Sequence, residues 1–163
     1  MTNNVKKIII LGHFGVGKSS LLRKYIYNKF SDNYDVTIGV TIKKKEIIFN
    51  NSPIKLIIWD IEGNDDIYKL RTSYMMGSSA FIYVFDTSRN STYVNIKKEI
   101  DYLSTILPST TGVLLGNKID LIDKFELNNI KNNLSLNNTF YISLKEIDSI
   151  DFIFEEILKL QNV

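Results

Sequence analysis

Cysteine is absent from the 163-residue chain. Its absence excludes disulfides, thiolate nucleophiles, cysteine ligands to zinc, prenylation and S-palmitoylation within this sequence. No stretch approaches the ~20 consecutive apolar residues that a membrane-spanning helix requires. The apolar run after the N-terminal basic pair, residues 8–11, is only strand-length and gives no signal-peptide pattern. A large excess of either charge is also lacking, and a formal net charge of +2 gives no reason to expect a nucleic-acid partner. Repeats, linkers and low-complexity segments are missing too. What is present is globular: 44% hydrophobic and 23% charged residues suit a packed core rather than a disordered chain. The length suits one domain spanning 1–163. A soluble protein compatible with a reducing cytosol is expected. Isoleucine, lysine and asparagine are abundant, as an AT-rich genome would produce, so an asparagine is not by itself a functional signal.

Residues 5–11 read as a strand, β-branched and apolar except at Lys6 and Lys7 and ending at Gly12, as in a strand buried on both faces of a parallel sheet. Residues 18–27 carry Leu21, Leu22, Tyr25 and Ile26 at helical spacing. Two strand-like runs, 40–49 and 54–60, flank Asn50, Asn51, Ser52 and Pro53, whose turn chemistry predicts an antiparallel hairpin. Strand 80–86, helix 91–107 and strand 112–116 follow, then a helix over 125–134, a short strand at 139–142 and a terminal helix at 150–160. This order predicts a three-layer α/β fold whose mainly parallel sheet has one antiparallel edge, with ligands beyond the C-terminal ends of the strands.

The chemistry-bearing motifs fall at those ends. Gly12-His13-Phe14-Gly15-Val16-Gly17-Lys18-Ser19 fits GxxxxGK[ST] between a strand and a helix, the context that pattern needs. Glycines let backbone N–H groups curl around phosphate, and the helix N-terminus adds favourable electrostatics. Lys18 reaches the β- and γ-phosphates and Ser19 can ligate Mg²⁺. Phe14, Gly15, Val16, Gly17, Lys18, Ser19 and Ser20 make up the candidate phosphate site. Asp60-Ile61-Glu62-Gly63 ends a strand with DxxG: Asp60 orients Mg²⁺, and Gly63 allows its N–H to approach a γ-phosphate and withdraw after hydrolysis.

Asn117-Lys118-Ile119-Asp120 supplies NKxD after another strand. Asp120 can accept hydrogen bonds from guanine N1 and N2, donors that adenine does not present in that arrangement, while the Lys118 stem covers the ring and Asn117 braces the loop. A site with a carboxylate at this point rejects the wrong base strongly. Ser143-Leu144-Lys145 resembles the SAK element that finishes a guanine pocket, with Leu144 as its departure. A backbone N–H there can reach the guanine oxygen, and the larger side chain can reshape the pocket. Phe30 is a candidate edge-on partner for the base, core packing being its alternative.

Together these residues resemble the Ras-like small GTPases, the Rab subfamily in particular, over essentially the whole chain. The resemblance implies six strands and five helices, with GTP or GDP and Mg²⁺ as cofactors. It also assigns residues 30–40 to a switch I in which Thr37 binds Mg²⁺ and Tyr34 covers the phosphates, so the expected metal ligands are Ser19, Thr37 and Asp60. Effectors, exchange factors and activators are implied at the switch surfaces, where Trp59 and Tyr74 occupy two positions of an aromatic trio and Ile42 replaces the third; core packing of Trp59 and Tyr74 is the alternative. A role in vesicle or membrane traffic follows from the same resemblance. Family members usually carry a prenylated tail, which a cysteine-free sequence cannot supply. Either a tail lies outside this sequence, or membrane recruitment is indirect or absent, and the expected location is the cytoplasm with at most peripheral membrane association.

Two departures bear on turnover. DTAGQ is normal in switch II, whereas Asp60-Ile61-Glu62-Gly63-Asn64 puts asparagine in glutamine's water-positioning place. The amide falls short by roughly 1.5 Å, one carbon–carbon bond, and a misplacement of about 1 Å can cost ~10²-fold in rate. Phe14 occupies the place of a small residue beside the γ-phosphate and obstructs the attacking water or an arginine finger. Asn64 and Lys18 are thus the catalytic candidates of a slow GTPase. His13 reads as a loop residue. The alternatives are a GTP-locked pseudo-GTPase acting as an interaction module, and a P-loop nucleotide kinase or ATPase, against which NKxD speaks.

Overall fold

A computed structural model describes residues 4–31, 37–64 and 66–162. Six strands form one sheet: β1 (Val5–Leu11), β2 (Val40–Phe49), β3 (Ser52–Ile61), β4 (Ala80–Asp86), β5 (Thr111–Asn117) and β6 (Thr139–Tyr141). Their spatial order is β2-β3-β1-β4-β5-β6. Among the described residues only the β2–β3 pair is antiparallel. The described residues form five α-helices, α1 (Lys18–Tyr27), α2 (Thr72–Met75), α3 (Ile96–Ile106), α4 (Lys124–Leu134) and α5 (Asp151–Leu160). Among the described residues no helix is long and apolar enough to cross a membrane.

The strands' period-two alternation builds two cores, one on each sheet face. Ile8, Ile10, Leu56, Ile58, Ile82, Val84, Val113 and Leu115 join Leu21 and Leu22 of α1 and Ile153, Phe154 and Ile157 of α5. Ile9, Leu11, Phe81, Tyr83 and Phe85 point the other way, toward Met75 of α2, Ile96 and Leu103 of α3 and Ile130 of α4. All seven residues of β4 are buried, which its continuous apolar run requires of a central parallel strand.

Most boundaries fall within one residue of the sequence expectation, and three elements show what sets theirs. Asn50 and Asn51 both adopt positive φ, 49° and 60°, so two residues suffice for the hairpin turn, and β3 begins at Ser52, pairing it with Phe49. Helix α3 begins five residues late because the Thr92 hydroxyl accepts from the Asp86 N–H at 3.0 Å and closes a 3₁₀ turn at Asn90–Thr92. Helix α4 forms despite its asparagines because Asp123 caps it, accepting from the Glu126 N–H at 2.8 Å.

Candidate functional site

The loop between β1 and α1 ends at Gly17, whose φ is 113°. A Cβ there would lie 2.4 Å from Asn117 Nδ2, so both the conformation and the approach of Asn117 require glycine. Helix α1 carries no side-chain cap, leaving its first-turn N–H groups to an anion or water. Lys18 is buried and donates to the His13 carbonyl at 2.9 Å. Together with Gly15, Gly17, Ser19, Ser20, Thr37 and Gly63, it lines one cavity. Val16 lies beneath, fully buried. Gly63 approaches so closely that an added Cβ would stand 2.6 Å from Lys18 Nζ and 2.8 Å from Phe14 Cα.

The three expected metal ligands converge from separate segments. Ser19 Oγ and Thr37 Oγ1 lie 2.7 Å apart. Ser19 donates to Asp60 Oδ2, which Thr37 approaches at 3.2 Å. Asp60 is 1% exposed. Burial raises its pKa, opposed by hydrogen bonding from Ser19, the Lys18 charge, the Thr37 hydroxyl and the Arg23 charge. Its second oxygen, Oδ1, has no hydrogen-bond partner among the described residues. A buried carboxylate with an orphaned oxygen beside two hydroxyls is a set of hard oxygen donors that fits Mg²⁺, which favours one or two carboxylates with phosphate and water completing its shell.

A second cavity continues from the first, lined by Phe30, Ser31, Asn117, Lys118, Asp120, Leu121, Ser143, Leu144 and Lys145 together with Gly15, Gly17, Ser20 and Arg23. Asn117 is the brace between loops. Its Nδ2 donates to the Val16 carbonyl at 2.9 Å, and its Oδ1 accepts from the Leu144 N–H at 3.0 Å. Lys118 stands at φ 67°, with Nζ 2.9 Å from the Gly15 carbonyl and 2.6 Å from Asp86 Oδ2. Its stem therefore runs along the cavity rather than into solvent. Asp120 is exposed at the rim. Phe30 is half-buried and both lines this cavity and packs against the core, so its two expected roles coexist.

Some sequence expectations are displaced. The Leu144 N–H expected to reach guanine donates to Asn117 here, and its side chain, 1% exposed, extends into the core. Asn64 lies apart from the phosphate cavity: its Oδ1 accepts from the Asp66 N–H at 3.0 Å, and it lines a groove with Ile38, Glu62 and Tyr74. The short side chain closes a local turn with its own backbone, as Asn commonly does. Phe14 is 43% exposed and lines the phosphate cavity. Tyr34 lies outside the described residues. Trp59 and Tyr74 are half-buried with ring centroids 6.3 Å apart, and Ile42 pairs with Trp59 across the hairpin. Lys7 stands 4.0 Å over the Trp59 ring and donates to the Tyr74 carbonyl at 2.7 Å.

Sequence reasoning missed the contacts beneath the phosphate loop. His13 is buried, with Nε2 3.1 Å from Glu99 Oε1, and the buried Tyr83 hydroxyl donates to the same carboxylate. Burial, followed by the Glu99 contact, raises the Tyr83 pKa. Arg89 donates to the Phe14 carbonyl. One signal was available: Glu99 interrupts the apolar stripe of Ile96, Ile100 and Leu103, where a carboxylate needs a partner. Arg23, which lines both cavities, also had a signal in its i+4 spacing from Ser19 on one helix face.

The Ras family model matches residues 7–161. The chain is 34% identical over 161 residues to Ras-related protein Rab-1 of Theileria annulata, covering 94% of this chain and 72% of that protein. It is 31% identical over 168 residues to the Ypt/Rab-type GTPase YPT7 of Saccharomyces cerevisiae, covering 96% and 81% respectively. Against Ras-related protein RABA5c of Arabidopsis thaliana the identity is 35% over 116 residues, 71% of this chain and 54% of that one, so the chain spans about half the length of this relative. The matched span contains the joined cavities and the residues that line them, and the chain belongs to the Ras family of small GTPases, with relatives of the Rab type.

Proposed function

We propose that residues 1–163 act as a single guanine-nucleotide switch that binds GTP or GDP with Mg²⁺, hydrolyses GTP slowly, and engages effectors, exchange factors and activators in membrane traffic. The carrying observation is the convergence of Ser19, Thr37 and the orphaned Asp60 carboxylate at one end of a cavity whose other end holds Asn117, Lys118 and Asp120. Ser19, Thr37 and Asp60 would hold the metal, which would supply positive charge to neutralise the phosphates. Lys18 and the first-turn N–H groups bind phosphate, and Asp120 selects guanine by accepting from its two donors. Thr37 and Gly63 touch the phosphate cavity from opposite switch segments, so loss of a γ-phosphate removes a contact from each and loosens both. The exposed Ile42, paired with Trp59, whose ring neighbours that of Tyr74, supplies the apolar and aromatic surface that interfaces favour. Membrane association would be peripheral, through partners or a further segment.

Identification of the nucleotide released when the purified protein is denatured tests this reading. GDP or GTP is expected; adenine nucleotide, or ATP outcompeting GTP, defeats it. A second reading, a nucleotide-bound module that does not turn over, is favoured by the Asn64 amide's hydrogen bond to Asp66. Lys18-dependent phosphate release in a single turnover supports the switch, and its absence alongside tight GTP binding supports the module.

A further inference from the structure

The two halves of the nucleotide cavity meet at four residues that line both: Gly15, Gly17, Ser20 and Arg23. Arg23 is the one charged residue of the four. A nucleotide whose base lies against Asn117, Lys118 and Asp120, and whose terminal phosphates lie against Lys18, must carry its sugar and α-phosphate across this junction. Arg23 follows Ser19 by four positions on α1, so both occupy one helix face. Helical side chains lean toward the N-terminus of their helix, so the Arg23 guanidinium is carried back over the turn that opens the phosphate site. Arg23 also lines the hollow shared by Thr37, Lys43 and Asp60, and its positive charge acts on the Asp60 carboxylate. No element of the phosphate, magnesium or guanine motifs in this sequence includes this position.

We propose that Arg23 is a nucleotide-binding residue that grips the α-phosphate, giving this protein affinity for guanine nucleotides that depends on the first phosphate and persists without Mg²⁺. The inference rests on the guanine-nucleotide reading of the same cavity. Lys18 lines the terminal-phosphate half alone, and Lys118 and Lys145 line the base half alone, so neither group of lysines substitutes at the junction. A guanidinium suits the role because its fixed fork of donors matches phosphate oxygens, whereas an ammonium offers a point charge.

The test is displacement of a fluorescent GDP analogue by GTP, GDP, GMP and guanosine from the parent protein, Arg23→Gln and Arg23→Lys, with Mg²⁺ and again in EDTA. Arg23→Gln should weaken GTP, GDP and GMP by one common factor on the order of 10- to 100-fold, the scale of a lost charge-assisted hydrogen bond. Guanosine should be unaffected, the loss should persist in EDTA, and Arg23→Lys should recover part of it. Unchanged GMP and GDP binding in Arg23→Gln, with tight GDP binding by the parent, overturns the role of Arg23 while leaving the nucleotide site intact. An equal loss for guanosine also overturns it, since the effect would not depend on phosphate. A loss that vanishes in EDTA overturns it as well, since Arg23 would be acting through the Asp60 metal site. Failure of the parent to bind GDP overturns the nucleotide reading and this inference with it.

Discussion

The Asn117 side-chain amide donates to the Val16 carbonyl across 2.9 Å, joining residues 101 positions apart in sequence. Its oxygen holds the Leu144 N–H at 3.0 Å, so one buried side chain couples the Gly12–Ser19 loop to the loops that carry Asp120 and Leu144. Replacing it by alanine strands a buried carbonyl and a buried N–H, each costing about 1–3 kcal/mol. Asn117→Ala is therefore expected to lower the midpoint of thermal unfolding by several degrees, at about 2–4 °C per kcal/mol for a chain of this size. It should also speed GDP release. Melting curves with and without GDP, and release of a fluorescent GDP, check both; unchanged release would mean the loops are not coupled through Asn117.

Asp120 sits at the rim of the cavity lined by Asn117, Lys118 and Leu144, where its carboxylate offers only acceptors. Asp120→Asn exchanges one acceptor for a donor, so preference should move from guanine toward xanthine nucleotides. Competition between GDP and xanthosine diphosphate on parent and variant measures the shift. A variant that still prefers GDP as the parent does would remove Asp120 from base recognition.

Glu99 carries the buried contact to His13 and accepts from Tyr83. Glu99→Ala leaves two buried polar groups without that partner, so a loss of about 3–5 kcal/mol is expected, as for broken buried pairs in general. Tyr83→Phe removes one donor and keeps the ring in its core, and should cost about 1–2 kcal/mol. Denaturant unfolding of both variants in excess GDP gives the two values. Equal losses would contradict the central place of the carboxylate.

Slow turnover is expected from Asn64 and Phe14. An unassisted small GTPase hydrolyses GTP at only about 10⁻⁴ to 10⁻³ per second, and here the Asn64 amide is engaged by the Asp66 N–H while Phe14 lines the phosphate cavity. Asn64→Gln lengthens the side chain that now closes on Asp66 and gives its amide the reach to turn into the phosphate cavity, and Phe14→Gly opens space beside the γ-phosphate. Because both act around one reacting atom, the double replacement should exceed either single one rather than equal their sum. Single-turnover phosphate release from preloaded GTP measures all four proteins. A double variant no faster than the parent would show that neither side chain limits hydrolysis.

The strand–helix alternation, the antiparallel edge and the Gly12–Ser19, Asp60–Gly63 and Asn117–Asp120 motifs were legible in the chain because each depends on local pattern: apolar period, glycine at a turn, and polar residues where a strand ends. The spatial strand order β2-β3-β1-β4-β5-β6 was not, because it depends on pairing between distant segments. The hairpin was legible too, but not its exit, since the paired positive φ of Asn50 and Asn51 admits Ser52 to the strand. Thr92 similarly looks like an ordinary early helix residue until its hydroxyl meets the Asp86 N–H. Asn64 read as a shortened glutamine, yet its amide closes on Asp66 instead of entering the phosphate cavity. Glu99 reached His13 across 86 positions, and Arg23 came to line both halves of the cavity. Those placements follow from how α1 and α3 pack against opposite faces of the sheet. A charge's partner is decided by which groups burial brings within hydrogen-bond reach, and that distance exists only once the helices have docked.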